Sequence, residues 1–233
     1  MKVSSIEAKN LLLSEAKVRS QDLSWVEHSL CVGETAAKIA TALNSRAKSL
    51  TGDTLDQKII ENLDDPDVKQ ILEKFYSLKE SPIDVDQTKA LGFLHDIGKI
   101  FQPYSEHLTN GYEYLNQQGF DAEYGQICLT HSFLSNDPDI MLSPFRGNQN
   151  TMIRDFIKQH EFTLAERIIN LCDIFCECER WTLEKRLIDI MSRHGSYTGS
   201  QKFIHRAQAR KAEFDLMLGE NLYNLFPEVS KNL

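Results

Sequence analysis

Residues 91–99 read LGFLHDIGK, an apolar run that ends in an adjacent histidine and aspartate, His95 and Asp96. After one intervening residue, Ile97, come a glycine and a lysine, Gly98 and Lys99. Burial of a carboxylate without a partner is strongly unfavourable, so the pair at a buried helix end indicates a bound group. A divalent metal fits best, because one imidazole nitrogen and one anionic oxygen form the mixed donor set that Mn, Fe or Zn prefers. The rest of the chain must then supply the missing ligands.

The composition predicts a soluble, all-α protein. Charged residues make up 26% of the 233 residues and the apolar set 41%, which is ordinary for a globular chain. Glycine (11) and proline (6) are scarce, strand-like alternation is hard to find, and apolar residues at helical spacing recur almost everywhere. The length suits one large domain or two small ones.

The net charge restricts the classes of molecule that the protein is expected to bind. A net charge of −8 argues against a surface that binds duplex nucleic acid, which normally carries a basic stripe. The negative charge is still compatible with a phosphate substrate, because bound cations can make the electrostatic potential of a binding site positive in an acidic protein. No run approaches the roughly 20 apolar residues of a membrane span, and residues 1–5 lead into charged helical sequence rather than a signal core. We therefore expect a cytoplasmic protein with no membrane partner.

The five cysteines agree with a reducing compartment, because an odd count without disulfide-like spacing indicates free thiols. Cys31 and Cys128 stand alone, while Cys172, Cys176 and Cys178 crowd one segment. A zinc site in that segment is conceivable. The four-residue spacing of Cys172 and Cys176 on one helical face favours small core residues instead.

Local signals place several helix starts. Ser24 with Glu27 three positions on has the capping-box pattern, which predicts a helix that begins there and points His28 inward. Asp84 or Asp86 is suited to cap the helix that ends at the His-Asp pair. Gly98 is expected to end that helix in the left-handed conformation. Thr163 is expected to cap a long apolar helix.

Residues 49–86 differ in composition from their surroundings and predict an insertion on the domain. Turn signals separate two short amphipathic patterns, one around Ile59, Ile60 and Leu63 and one from Val68 to Phe75. The insertion either shapes a substrate mouth or is a solvated helical hairpin without a chemical role. An apolar C-terminal run at about 199–226 packs either on the chain's own core or on a partner.

Two acids and four histidines form a candidate constellation. Asp173 accompanies Asp96, and it lies inside the most apolar part of the chain although aspartate is a poor helix-interior residue. A buried carboxylate there requires a cation. Four of the seven histidines lie at predicted helix ends or turns: His28, His95, His107 and His131. The other three lie in polar sequence and are expected on the surface: His160, His194 and His205.

The ordered set over about residues 20–190 resembles the HD superfamily of metal-dependent phosphohydrolases: His28, then His95-Asp96, then Asp173. Residues 95–99 are similar to the longer motif of its HDIG subset, and His107 with His131 resembles the two extra histidines of that subset. The resemblance implies a single HD-type helical domain over 1–233, with a core at about 20–195. It also implies one or two divalent ions (Mn, Fe, Mg, Co, Ni or Zn), held by two ligand sets: His28, His95, Asp96 and Asp173 for the first, and Asp96, His107 and His131 for the second.

Departures from the family pattern limit the substrate. The proline-containing element of the branch that degrades cyclic di-GMP is absent, and Ser132 stands where that branch tends to have a second histidine. A cyclic dinucleotide is therefore not the default substrate. His107 is either a ligand of the second metal or a group that binds substrate beside a mononuclear site.

The predicted activity is hydrolysis of a nucleotide or another small phosphate ester. Asp96 and Lys99 are the expected catalytic residues, and Lys99, Arg180 and Arg186 are the expected contacts to phosphate, the arginines on a continuation of the helix that carries Asp173. The alternative for Lys99 is an ordinary helix-end lysine, and for the two arginines surface salt bridges. Two other activities remain open for the same scaffold: a di-iron oxygenase, and a nucleotide-binding module without catalysis.

Overall fold

A computed structural model describes residues 1–20, 22–50, 66–141, 150–195 and 199–230, which form helices and no β-strand. This confirms the all-α prediction. Three short 3₁₀ helices span Ile97–Ile100, Tyr104–Glu106 and Leu222–Leu225. None of the described helices is long and apolar enough to cross a membrane. The α-helices in chain order are α1 (Ser5–Arg19), α2 (Ser24–Ser49), α3 (Pro66–Ser77), α4 (Val85–Leu94), α5 (His107–Gln117), α6 (Ala122–Thr130), α7 (Asn150–Gln159), α8 (Leu164–Phe175), α9 (Leu183–His194), α10 (Ser200–Leu218) and α11 (Pro227–Ser230).

Helix α2 begins at Ser24, but the predicted cap is wrong. Leu23 occupies the N-cap position and makes no side-chain cap. The Asp22 carboxylate accepts the main-chain N–H of Ser24 at 2.9 Å instead. Asp22 therefore accepts a hydrogen bond from a free N–H group of the first turn, which is the role that was predicted for the Ser24 side chain.

Helices α2 and α4 approach closely where two glycines face each other. A Cβ on Gly92 would lie 2.7 Å from the Cα of Gly33, and a Cβ on Gly33 would lie 2.3 Å from the ring of Phe93. Only glycine permits this separation of two backbones. The contact fixes the helix that ends in the His-Asp pair against the helix that carries His28.

The predicted caps of α4 and α8 are confirmed, whereas the prediction for Gly98 is wrong. The Asp84 side chain accepts the N–H of Gln87, and Thr163 forms a full capping box with Glu166. Gly98 lies in the 3₁₀ helix after α4 and is absent from the described residues with positive φ. Close packing requires glycine at this position instead, because a Cβ there would lie 1.9 Å from the main-chain oxygen of His107.

Helix α8 is the central helix of the fold and is buried at every residue but Ala165. It ends at Phe175, and α9 begins only at Leu183 after Thr182 caps it. The expectation that Asp173, Arg180 and Arg186 share one helix is therefore wrong.

The described part of the predicted insertion belongs to the core. Ile71, Leu72 and Phe75 of α3 are buried, and the helix packs on α2, α8 and α10. A solvated hairpin is thus wrong for 66–77, while the pattern at Ile59, Ile60 and Leu63 lies outside the described residues. The C-terminal run also packs on the chain's own core, where its large apolar residues are buried: Phe214, Met217, Leu222 and Phe226.

Candidate metal centre

Six side chains meet at one end of the helical bundle. All are buried except His107, which is partly exposed. They come from five helices or their ends: His28 from α2, His95 and Asp96 from the end of α4, His107 from the first residue of α5, His131 from the end of α6, and Asp173 from α8. The structure therefore brings together every residue proposed as a metal ligand.

Asp96 lies between two groups of histidines. Its Oδ2 atom is 3.5 Å from Nε2 of His95 and 3.9 Å from Nε2 of His28. Its Oδ1 atom is 3.4 Å from Nε2 of His107 and 3.6 Å from Nε2 of His131. Within each group, ligand atoms lie within 4.8 Å of one another. One carboxylate is thus shared by two sets of donors.

Asp173 completes the first group. Its Oδ1 atom is 2.9 Å from Nε2 of His28 and 3.6 Å from Nε2 of His95. Burial alone raises the pKa of the Asp173 carboxyl, but its interactions with the His28 and His95 imidazoles outweigh this effect and hold that pKa well below its usual range. A second anionic oxygen therefore faces the same imidazoles as Asp96.

The tautomers of the four histidines follow from their main-chain contacts. A carbonyl oxygen can only accept, so each Nδ1 carries a hydrogen, and each imidazole in its neutral form presents the Nε2 lone pair to the centre. This is the usual orientation of histidines that bind metal. The Nδ1 contacts are His95 to the oxygen of Gly92 (2.7 Å), His107 to Tyr104 (2.8 Å), His131 to Ile127 (3.1 Å) and His28 to Glu177 (3.3 Å).

Two atoms at the centre are buried without a hydrogen-bond partner: Nε2 of His95 and Oδ1 of Asp96. An acceptor left unpaired in the interior costs about 1–3 kcal/mol. A cation removes this cost, because imidazole nitrogens and carboxylate oxygens can all coordinate it. The donor set suits first-row divalent metals, so the residues present fit one or two such ions. The candidate groups among the described residues contain no cysteine, in agreement with the core role expected of Cys172 and Cys176, which are both buried.

The centre holds Asp96 ionised and His131 neutral. Burial alone raises the pKa of the Asp96 carboxyl, but the charges of Lys99 and the surrounding histidines outweigh it and hold that pKa well below its usual range. The Lys99 ammonium pairs directly with Oδ2 of Asp96. Burial lowers the pKa of His131 to about 3 and also lowers the pKa of His107. Neutral imidazoles and ionised carboxylates are the forms that bind metal.

A hydrogen-bond network behind the centre fixes His131. The Asn170 amide donates to the main-chain oxygens of Thr130 and His131, both at 2.8 Å. The Thr130 hydroxyl donates to Glu166 at 3.0 Å, and Nε2 of His160 lies 2.8 Å from the same carboxylate oxygen. The expectation of a surface His160 is wrong, because its side chain is only 11% exposed. Asn170 is a polar residue in an apolar helix, the same signal that identified Asp173.

Replacing Asn170 with leucine is expected to weaken metal binding about 10–100-fold, since partners that orient ligands contribute about that much. The carbonyl oxygens of Thr130 and His131 lose the Asn170 amide as a donor, which also lowers the free energy of unfolding by about 1–3 kcal/mol. Metal titration calorimetry and thermal melts measure the two effects. The control is Asn44→Leu, because Asn44 holds only the main chain of Ile83, at 2.9 Å. Equal metal affinity in the two variants would show that Asn170 does not position the centre.

Five of the six residues, all but the fully buried His95, line a pocket of about 290 Å³. Lys99 and Arg186 line it, as do Trp25 and Arg193, which sequence reasoning did not assign to the site. None of the described residues of 66–86 lines it, and residues 51–65 of the predicted insertion lie outside the described part of the chain.

Arg180 lies outside this pocket. Its Nε donates to Oγ1 of Thr35 at 2.7 Å and its Nη1 to Glu228 at 2.9 Å. The structure therefore does not bring Arg180 to the substrate position expected of it. Of the remaining histidines, His205 is exposed as expected, and the side chain of His194 lies outside the described residues.

Comparison with known proteins gives one family. The family model of the HD domain matches residues 25–177, about two thirds of the chain and all six residues of the centre. Searches of curated proteins and of solved structures found no match. The ordered ligands and the all-α fold agree with the family match, and the chain therefore belongs to the HD-domain superfamily of metal-dependent phosphohydrolases.

Proposed function

We propose that this protein hydrolyses a small phosphate ester, in particular a nucleotide, with the help of two divalent ions. The observation that carries the proposal is the buried Asp96 carboxylate, which two groups of histidines share at the base of an open pocket. Such paired sites are used to hold both oxygens of a displacement at phosphorus.

The chain's own residues divide the work of holding the ions. When bound, divalent ions acidify water and neutralise phosphate oxygens as charge develops. The main-chain carbonyls that accept from Nδ1 keep every imidazole directed at the centre. The first ion would be held by His28, His95, Asp96 and Asp173, and the second by Asp96, His107 and His131.

Lys99 supplies a positive charge beside the ions. Its ammonium pairs with Asp96 and its side chain is 26% exposed on the pocket. A lysine is a compact point charge that meets a phosphate oxygen without a fixed geometry. Lys99 therefore both balances the buried carboxylate and contributes to phosphate binding.

The charge of the pocket favours an anionic substrate only when ions are present. Three acidic side chains and three basic ones line it, so their formal charges cancel. Each divalent ion adds two positive charges at the base, which attracts an anion into the pocket. The acidic chain as a whole is thus compatible with a phosphate substrate. The lining side chains are Asp96, Asp173, Glu177, Lys99, Arg186 and Arg193.

Removing metal is expected to lower phosphate release more than about 100-fold, and adding one preferred metal is expected to restore it. The test is a screen of chelator-treated protein reloaded with Mn, Fe, Co, Ni, Zn or Mg. The substrates are nucleoside mono-, di- and triphosphates, cyclic nucleotides and dinucleotides, and simple monoesters. Asp96→Asn protein purified in the same way is the control for contaminating phosphatase.

Three results would contradict the proposal. About two irons per chain with no phosphate release from any substrate would indicate oxygen chemistry on the same ligands. Tight nucleotide binding without turnover for every metal would indicate a binding module. Equal phosphate release by the wild type and Asp96→Asn would place the activity outside this centre.

A further inference from the structure

Two arginines of α9 line the pocket but are not among the candidate metal ligands. Arg186 and Arg193 are seven residues apart, two helical turns, so both lie on the same side of the helix. Both pair with one carboxylate, Asp189, which lies between them; Nη2 of Arg193 is 2.7 Å from Oδ2 of Asp189. One acid therefore serves two guanidinium groups, and the trio keeps an excess positive charge.

Arg186 is tied to the first ligand group through the main chain. Its Nε donates to the oxygen of Cys176 at 3.0 Å, and the next carbonyl, that of Glu177, accepts from Nδ1 of His28. Consecutive Cα atoms are only 3.8 Å apart. The Arg186 guanidinium, in a residue only 5% exposed, is thus held by the carbonyl that directly precedes the one that orients His28.

Arg193 contributes little to the stability of the fold where it lies. Its side chain is 48% exposed, and its pair with Asp189 is an i,i+4 surface contact. Exposed pairs of this kind stabilise a protein by less than about 1 kcal/mol. Since Arg186 already pairs with Asp189, the second arginine is not needed to neutralise that acid. Its guanidinium is available to a ligand in the pocket.

We propose that Arg186 and Arg193 form a second anion subsite, which binds a phosphate group of the substrate other than the one at the metal centre. The substrate class is then a phosphate ester with two phosphate groups, such as a nucleoside diphosphate or bisphosphate. The planar fork of arginine donors suits phosphate oxygens. This inference rests on the proposed phosphohydrolase function and narrows its substrate.

The test compares Arg193→Gln with Arg180→Gln in Mn²⁺-loaded protein. Arg180 is the matched control because it lies outside the pocket. The probes are p-nitrophenyl phosphate, which has one phosphate, and ADP and adenosine 3′,5′-bisphosphate, which have two. Arg193→Gln is expected to raise KM for the two-phosphate probes about tenfold or more, the loss typical of one charged hydrogen bond. Values for p-nitrophenyl phosphate are expected to stay unchanged, and Arg180→Gln is expected to alter neither.

Binding of ADP, measured by calorimetry, gives a readout that does not need turnover. We expect its Kd to rise about tenfold or more in Arg193→Gln and to stay unchanged in Arg180→Gln. Equal Kd values in the two variants would overturn the subsite, even if p-nitrophenyl phosphate is hydrolysed and the proposed function holds. No phosphate release from any probe, with the ADP difference intact, would overturn the proposed function and support the subsite.

Discussion

Replacing Asp96 with asparagine is expected to remove bound metal from both ligand groups at once. Asparagine keeps the shape of the side chain but loses the charge, and Asp96 is the residue that the two groups share. Turnover is expected to fall more than about 100-fold, because even residues that only orient metal ligands account for 10–100-fold. Metal content by mass spectrometry and phosphate release measure the two losses.

The comparison with Asp173→Asn makes this prediction specific. Of the four histidines at the centre, Asp173 pairs with His28 and His95, so its variant is expected to lose the ion of the first group and retain that of the second. Asp96→Asn also leaves the Lys99 ammonium without its carboxylate. The double variant Asp96→Asn/Lys99→Met removes that unpaired charge and is expected to remain free of metal. Equal metal content in Asp96→Asn and Asp173→Asn would contradict a shared carboxylate.

Replacing Gly98 with alanine is expected to destabilise the fold by about 3 kcal/mol or more, the upper range for overpacking. The new Cβ would lie 1.9 Å from the main-chain oxygen of His107 and 2.5 Å from the main-chain nitrogen of Gly111. Both contacts are with backbone, so no side-chain rotation relieves them. Helix α5 must move away, and His107 moves with it. We therefore expect the ion of the second group to be lost as well.

Gly125→Ala is the matched control for Gly98→Ala. Gly125 is also a buried glycine, but its Cβ would meet the side-chain amide of Asn116 at 3.0 Å. A side chain can shift, and alanine favours a helix over glycine by about 1 kcal/mol. Denaturant unfolding is therefore expected to show little change for Gly125→Ala. A Gly98→Ala protein with wild-type stability and metal content would contradict the close packing of α5.

Part of the candidate ligand set could be predicted from the sequence because some of its residues are local anomalies, and the others came from the resemblance to the family. Asp173 is a carboxylate in an apolar helix, and His95-Asp96 ends an apolar run. The helix caps at Asp84 and Thr163 could also be predicted from the sequence, because capping involves residues within one turn. The family match over 25–177 spans all six candidate ligands.

Other features depend on contacts between distant residues. Gly98 is required by its close contact with the backbone of His107, which lies on another helix. The local pattern could not reveal this contact and instead predicted a left-handed conformation, which Gly98 does not adopt. Arg180 was expected on a continuation of the helix that carries Asp173, but α8 ends at Phe175 without a glycine or proline to mark it. The Thr182 cap was the available signal for a new helix.

The most direct test of a shared Asp96 carboxylate is anomalous diffraction from crystals grown with Mn²⁺. We predict two anomalous peaks on either side of the Asp96 carboxylate. One is expected among His28, His95 and Asp173, and the other beside His107 and His131. A single peak in the first group would leave His107 and His131 as substrate contacts, and no peak near Asp96 would contradict the metal centre.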